Sequence, residues 1–353
     1  MRFIHIADVH LGARPDAGPL YSRERGREIW DTFERVVRVC EEEKTDLLLI
    51  AGDLFHRQPL VRELKEVDYL FSELTHTKVV LIAGNHDHIR KDSCYRTFRW
   101  SGNVYPLLGE SPEYVDFPEL DTAVYGLSYH RKEIREPLYD NLRAGQVRSV
   151  EILLAHGGDD SHIPIDKRAL SASGFTYIAM GHIHKPQAIE KNRMIYAGAL
   201  EPVDKNDTGA HGYVKGEISA AGVRTSWIPC AKREYIHLKL PVQREDTTGS
   251  LRDEIAELTK EYGRENIYKI ILTGRRSTDI IFDTKRLAGA GNITEVVDET
   301  YPAYDIPRLY EENQNNILGR FIGHFTGCEE GSAEYEALCE GLEALLESRT
   351  VIK

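Results

Sequence analysis

The sequence predicts an α/β protein, two sheets with helices on their outer faces, followed by a small α+β unit and a helical tail. Three observations predict it. Short apolar runs alternate with segments of helical period through the first third of the chain. Five of the apolar runs end in Asp, Asn or His, and the pattern changes character near residue 230. At 353 residues the chain is too long for one small core, so two domains are the natural expectation.

Taken in order, Phe3-Ile4-His5-Ile6-Ala7 is the first strand. Residues 24–43 carry Ile29, Trp30, Phe33, Val36, Val37 and Cys40 at i, i+3, i+4 spacing, an amphipathic helix. After the apolar run 47–51, residues 62–74 repeat the pattern with Leu64, Val67, Leu70, Phe71 and Leu74, and the run 79–82 follows. Each helix lies between two apolar strands, so parallel β-α-β-α-β is the economical topology. Further strands read at 123–127, 152–155, 177–180 and 194–198, and 212–218 with 223–228 form a closing antiparallel pair. A boundary falls at 229–233. Beyond it, 235–240 alternates like a strand, Ser250 is expected to cap a helix carrying Leu251, Ile255, Leu258 and Tyr262, and 267–272 and 293–297 supply strands. From 307 on, two amphipathic helices flank Gly327-Cys328-Glu329-Glu330-Gly331. The expected divisions are therefore 1–230, 231–306 and 307–353.

Composition narrows the class. The 41% apolar and 29% charged content is that of a soluble globular protein, and no apolar run approaches the ~20 residues that span a bilayer. Met1-Arg2-Phe3-Ile4 passes straight into a strand, with no room for a signal peptide, and five scattered cysteines lack metal-ligand spacing. Both features predict reduced thiols in the cytoplasm and no membrane partner. A net charge of −12 is not the bulk signature of a phosphate-gripping protein, yet it leaves room for a local basic groove.

The chemistry concentrates at strand ends. Asp8-Val9-His10 follows the first strand, Gly52-Asp53 the second and Gly84-Asn85-His86-Asp87 the third; later come His156-Gly157 and Gly181-His182-Ile183-His184. A lone Asp or Asn after a strand is ordinarily a turn former, and single histidines such as His5, His76, His130 and His162 read as surface or hydrogen-bonded core residues. Five strand ends of the same kind are another matter. In extended backbone, residues two apart leave on one side, so Asp8 with His10, and His182 with His184, can face one cavity. With Asp53, Asn85 and His156 they make seven oxygen or nitrogen ligands and no thiolate, which suits a pair of divalent ions such as manganese, iron or zinc. A carboxylate shared between ions ~3.5–4 Å apart is the arrangement for in-line displacement at phosphorus.

These five segments, in order, resemble the signature of the calcineurin-like metallophosphoesterases over residues 1 to about 200. The resemblance implies the α/β/β/α sandwich of that family. Gly52-Asp53-Leu54-Phe55-His56 and Gly181-His182-Ile183-His184-Lys185-Pro186-Gln187 look like its DNA-repair exonuclease branch, which includes the bacterial SbcD subunits. It implies Asp8, His10 and His184 on one metal, Asn85, His156 and His182 on the other, and Asp53 bridging. His86 would be the non-ligand catalytic histidine, with Asp87 orienting it, and His56 a second histidine near the substrate phosphate; His56 could equally cap the following helix. Two divalent ions, manganese ahead of iron or zinc, are the implied cofactors. In the implied reaction a metal-bridging hydroxide attacks phosphorus while His86 assists departure of the 3′-oxygen. The sequence departs from the branch at Gly198-Ala199-Leu200-Glu201-Pro202, where Gly-Ser-Pro is typical.

The resulting expectation is a cytoplasmic two-metal phosphodiesterase, a DNA exo- or endonuclease, with DNA as substrate. A phosphodiesterase for small nucleotides is the runner-up, and a non-catalytic scaffold the rival from another class. The small α+β unit is expected to cap the site and shape substrate access. The same resemblance implies a coiled-coil ATPase of the SbcC type as partner, docked on the tail, whose residues 301–353 hold 10 acidic against 4 basic side chains; a homodimer is a further option for partner. The competing reading of the tail is that both helices fold back on the cap.

Overall fold

The computed structural model describes residues 1–350 except 17, 20 and 330, without the side chains of 347, 349 and 350. The chain forms two compact units, Met1–Tyr235 and Ile236–Lys353.

In the first unit, β1 (Arg2–Ile6), α1 (Ser22–Glu42), β2 (Leu47–Ala51), α2 (Val61–Ser72) and β3 (Lys78–Ile82) follow the expected order, and the three strands pair in parallel. β4 (Val104–Pro106) extends this sheet beside β3. The second sheet takes β5 (Glu113–Phe117), β6 (Thr122–Gly126), β7 (Val150–His156), β8 (Tyr177–Gly181), β9 (Gln187–Glu190) and β10 (Met194–Tyr196), with the five-residue helix α3 (Lys167–Ser171) between β7 and β8. β11 (Gly212–Ser219) and β12 (Gly222–Pro229) form the expected antiparallel pair and return to the first sheet, β11 lying against β1. The orders are β12-β11-β1-β2-β3-β4 and β5-β6-β7-β8-β10-β9.

Strand parity explains why the central strands read as unbroken apolar runs: both faces are covered. Ile4, Ile6, Leu48, Ile50, Val79 and Leu81 pack beneath Phe33, Val36, Leu64 and Phe71 of the two helices. Their neighbours Phe3, Leu47, Leu49, Val80 and Ile82 meet Val124, Ile152, Leu154 and Ala179 of the second sheet. The far face of that sheet, with Leu153, Ile178 and Met180, is closed by Tyr129, Tyr139, Leu170 and Phe175. His5 lies in the layer between the sheets, fully buried, its Nδ1 2.9 Å from the Tyr177 hydroxyl.

The segment departing from Gly-Ser-Pro has a structural occupation. Glu201 is buried and accepts from Thr32 Oγ1 (2.6 Å), the Lys232 amide (2.7 Å) and Arg25 Nη1 (3.3 Å). Arg25, itself buried, also donates to Glu28 (2.7 Å) and the Pro202 carbonyl (2.7 Å). The charges satisfy one another and fasten α1 to the chain leaving the second sheet, which is what a buried carboxylate requires.

The second unit opens on β13 (Tyr235–Val242). It continues through α4 (Thr248–Glu261), β14 (Ile267–Arg276), α5 (Thr284–Ala288), β15 (Ile293–Asp298) and β16 (Tyr301–Pro302). Its sheet runs β13-β14-β15 with β16 on β14. The cap of α4 is Thr247 rather than Ser250: Thr247 Oγ1 accepts the Ser250 amide while Ser250 Oγ takes the Thr247 amide, a reciprocal box. Three helices follow, where two were expected: α6 (Ile306–Asn313), α7 (Ile317–Gly323) and α8 (Ala333–Thr350). They share a small core of Leu318, Ile322, Leu338 and Leu342, and the Arg275 guanidinium of β14 stacks 4.4 Å from the Tyr335 ring of α8. Residue 330 and residues 351–353 of the tail lie outside the described residues. Among the described residues no helix is long and apolar enough to cross a membrane.

Candidate metal centre

Parallel strands place their carboxyl ends together, and there the chain turns sharply. Asp8, His10, Asp53 and His182 all adopt left-handed backbone, with φ of 51°, 54°, 51° and 96°. Such conformations are strained for residues with a side chain and are held here by the surroundings. The Asp8, His10 and Leu11 amides donate to the carbonyls of Gly52, Asp53 and Leu54, so the turns after β1 and β2 brace each other. Asp8 and His10 therefore converge through left-handed kinks, not through the extended alternation expected of them. Close approach also demands glycine: a Cβ on Gly84 would lie 2.2 Å from Asp53 Oδ1, and one on Gly52 2.4 Å from His156 Nδ1.

The side chains fall into two groups. Asp8, His10 and His184 can bring ligand atoms within 4.8 Å of one another, with the two Nε2 atoms of His10 and His184 3.0 Å apart. Asn85 Oδ1 lies 3.0 Å from His156 Nε2 and 3.1 Å from His182 Nδ1. Asp53 sits between, its Oδ2 3.9 Å from His10 Nε2 and 3.5 Å from His156 Nε2. His182 and His184, two apart in sequence, thus serve different groups. The Asp8 carboxylate accepts the His182 amide at 2.9 Å on each oxygen and so links one group to the other.

Three of the four histidines commit the ring nitrogen turned away from the cavity, whereas His10 Nδ1 is buried without a hydrogen-bond partner among the described residues. His156 Nδ1 faces the Ala51 carbonyl (2.9 Å), His184 Nδ1 the Asp207 carboxylate (2.9 Å) and His182 Nε2 the Asp159 carboxylate (2.7 Å). Those acceptors need the N–H, which leaves a lone pair on each inward nitrogen. Two lone pairs then face the single Asn85 oxygen, and a third faces His10. A cation satisfies all of these contacts at once, with the Asn85 oxygen and the imidazole lone pairs directed at the same point. Two donors at right angles on an ion ~2.1 Å away lie ~3 Å apart, the spacing found here. The residues fit a divalent cation.

Electrostatics point the same way. Burial would raise Asp53, but His156 above all, then His10 and His86, hold its carboxyl well below the usual range. Burial would lower His156 and His184; the Asp53 charge lifts the first to about 9, and the hydrogen bond to Asp207 with the Asp8 charge lifts the second to about 9. Burial carries Asp8 up to about 6, against the pull of His156 and His184. Burial holds His10 well below the ordinary imidazole value, and burial with the His156 charge takes His182 down to about 4, so the four histidines do not behave alike.

His86 borders the first group: its ring and those of His10 and His56 can bring nitrogen atoms within 4.8 Å of one another. Its amide donates to Asp53 Oδ1 (2.9 Å), its Nδ1 faces the His56 carbonyl (3.0 Å), and its ring centre lies 4.8 Å from that of His10 and 5.0 Å from that of His56. The His56 ring faces the same cavity, 5.3 Å from His10, while the cap position of α2 belongs to Leu60. Asp87 is occupied otherwise than expected. Its buried carboxylate accepts from the amides of Gly84 (2.8 Å) and Phe55 (3.2 Å) and from the Tyr95 hydroxyl (2.9 Å), so it organises the loop rather than the His86 ring. Burial raises its pKa to about 7. Sequence reasoning missed Asp159 and Asp207 entirely and read His162 as bland, although the His162 ring lies 4.6 Å from that of His182. Asp159, three residues past His156, carried a weak signal; Asp207, in a polar turn, carried none.

Two packed sheets whose strand ends gather His, Asp and Asn in this way form a candidate divalent-metal centre of the kind found in metal-dependent phosphoesterases. A model of the calcineurin-like phosphoesterase family matches residues 1–186, and the chain belongs to that family. Among curated proteins it is 29% identical over 219 residues to the DNA double-strand break repair protein Mre11 of Methanocaldococcus jannaschii, covering 59% of this chain and 58% of that protein. It is 28% identical over 246 residues to the uncharacterised metallophosphoesterase YhaO of Bacillus subtilis, covering 62% and 59%. Mre11 of Archaeoglobus fulgidus is 26% identical over 324 residues, covering 82% and 71%. The match thus spans under three-fifths of the length of the first two relatives.

Proposed function

We propose that the chain is a two-ion DNA phosphodiesterase, a nuclease of the SbcD type acting in the cytoplasm. The observation that carries the polynucleotide reading is a groove of about 1190 Å3 beside the candidate metal centre, bordered by His56. Arg14, Arg23, Arg27, Arg57 and Arg62 line it together with Trp30, against two acidic residues, Glu63 and Glu66. Arg57 is paired with Glu63 (2.6 Å), whereas Arg14, Arg23 and Arg62 form no ion pair among the described residues. A protein of net charge −12 that concentrates arginines here favours an extended polyanion at this place. Trp30 adds a ring on which a base can stack.

Asp8, His10 and His184 would hold one ion and Asn85, His156 and His182 the other, with Asp53 shared. Oxygen and imidazole donors without thiolate admit manganese, iron or zinc, and the family resemblance puts manganese first. When bound, such ions neutralise charge on the transferring phosphoryl group and activate water. The protein's own part is positional. Asp53 holds the His86 amide and the His56 carbonyl holds Nδ1 of its ring, so Nε2 is the atom available to protonate the departing 3′-oxygen.

The groove is tested by replacing Arg14, Arg23 and Arg62 with alanine together. Affinity for linear DNA is expected to fall ~10–1000-fold at moderate salt, with a shallower salt dependence, while hydrolysis of a chromogenic phosphodiester is kept. Undiminished DNA affinity would favour the small-nucleotide reading instead.

We also infer that the tail docks an ATPase partner of the SbcC type. Tyr304, Tyr310, Phe325 and Tyr335 line an apolar hollow of about 370 Å3 among its helices, on an acidic segment ill suited to DNA. Capture of such an ATPase should be lost in Tyr310→Glu/Phe325→Glu protein. Equal capture would assign these helices to local packing.

A further inference from the structure

We propose that Asp159 is a positioning residue for the second ion, fixing the tautomer of His182, with His162 holding Asp159 in place. The inference rests on the two-ion reading and adds a residue pair that reading does not contain.

The local chain is built for this contact. Gly157 and Gly158 precede Asp159 with φ of 139° and 125°, and a Cβ would lie 2.4 Å from the His162 carbonyl at the first and 2.2 Å from the Tyr196 hydroxyl at the second. Only glycines let the backbone double back, with the Gly158 amide donating to the carbonyls of His162 (2.9 Å) and Ile163 (3.1 Å). The Asp159 carboxylate is then held on two sides. Its Oδ1 accepts the amides of Ser161 (2.7 Å) and His162 (2.9 Å). Its Oδ2 is left for His182 Nε2 (2.7 Å) and His162 Nδ1 (2.9 Å).

An ionised carboxylate only accepts, so His182 must carry its proton on Nε2. Nδ1 is thereby kept as a lone pair, 3.1 Å from Asn85 Oδ1 and directed into the second group. The opposite tautomer would put an N–H at that place and bar a cation from it. Outer carboxylates of this kind are worth ~10–100-fold in metal affinity.

Two substitutions separate this role from a mere surface ion pair. Asp159→Ala removes the acceptor. In Asp159→Asn the amide oxygen is retained by the turn amides, which presents the NH2 group to His182 Nε2 and stabilises the wrong tautomer. A carboxylate that only packs or pairs should tolerate asparagine better than alanine. A tautomer-fixing one should tolerate it no better.

The experiment is calorimetric titration of the full-length, metal-free protein with Mn²⁺, alongside 15N imidazole NMR of the zinc-loaded protein. The wild type should show two binding steps and His182 as the Nε2–H tautomer. In both variants one step should weaken ~10–100-fold with the other unchanged. The His182 Nε2–H signature should be lost in the asparagine variant, and Asp159→Glu should restore part of the weakened step. A wild type with a single step would overturn the two-ion reading and this inference with it. Two steps with both variants unchanged, or asparagine clearly milder than alanine, would overturn the inference alone.

Discussion

His86→Asn is expected to lower turnover of a phosphodiester by ~10²–10⁴-fold, the usual worth of a positioned acid, while bound metal stays at the wild-type level. The expectation follows from where His86 spends its atoms. Its backbone amide, which asparagine retains, is what touches Asp53. Its ring nitrogen Nδ1 is taken by the His56 carbonyl, outside the contacts that join Asn85, His156 and His182. The substitution therefore removes the proposed proton carrier and leaves the contacts among Asn85, His156 and His182 standing. Elemental analysis of the purified variant beside a single-turnover assay decides the matter. A variant that purifies without metal would move His86 into the ligand set.

Asp53→Asn should do the reverse and strip the site, with metal content falling by at least one ion and activity falling below detection. Asp53 faces both ligand groups: it reaches His10 and His156 on one oxygen and the His86 amide on the other. On the proposed two-ion reading its negative charge would make two neighbouring cations tolerable, and an amide of the same shape withdraws that charge. The metal-free wild type is the reference for folding, and Asp53→Asn should melt somewhat below it, because the substitution also removes the charge that faces His156 at 3.5 Å. Retention of two ions by Asp53→Asn would sink the bridging assignment.

Much of this architecture was legible because strands covered on both faces leave long apolar runs, and α1 and α2 keep a clean helical period between them. The places where candidate ligands stand were legible for the same reason: each follows such a run. How the side chains meet was not. Periodicity assumes an extended chain, and the kinks at Asp8 and His10 are set by contacts with the turn after β2, which lies some forty residues away. The supports were hidden for a related cause. Asp159 and Asp207 are ordinary turn carboxylates until the fold sets each against a histidine 23 residues distant. Likewise α6 and α7 look continuous with their neighbourhood until Asn316 is seen capping α7 through the amides of Leu318 and Gly319.

The two groups of candidate ligands also have a mechanical side. Asp8, His10, Asp53 and Asn85 come from the first sheet, and His156, His182 and His184 from the second. The His10–His184 contact alone closes a loop of 174 residues, and His156–Asn85 one of 71. An ion held there works as a covalent staple would, removing from the unfolded chain the freedom of its longest loops, an effect of ~4–5 kcal/mol for closures of this size. Chelation should accordingly loosen the mouth between the sheets before it disturbs their far ends, where packing, the Lys78–Glu119 ion pair (2.8 Å) and the Thr225–Asn192 hydrogen bonds (3.0 Å) keep the two layers in register.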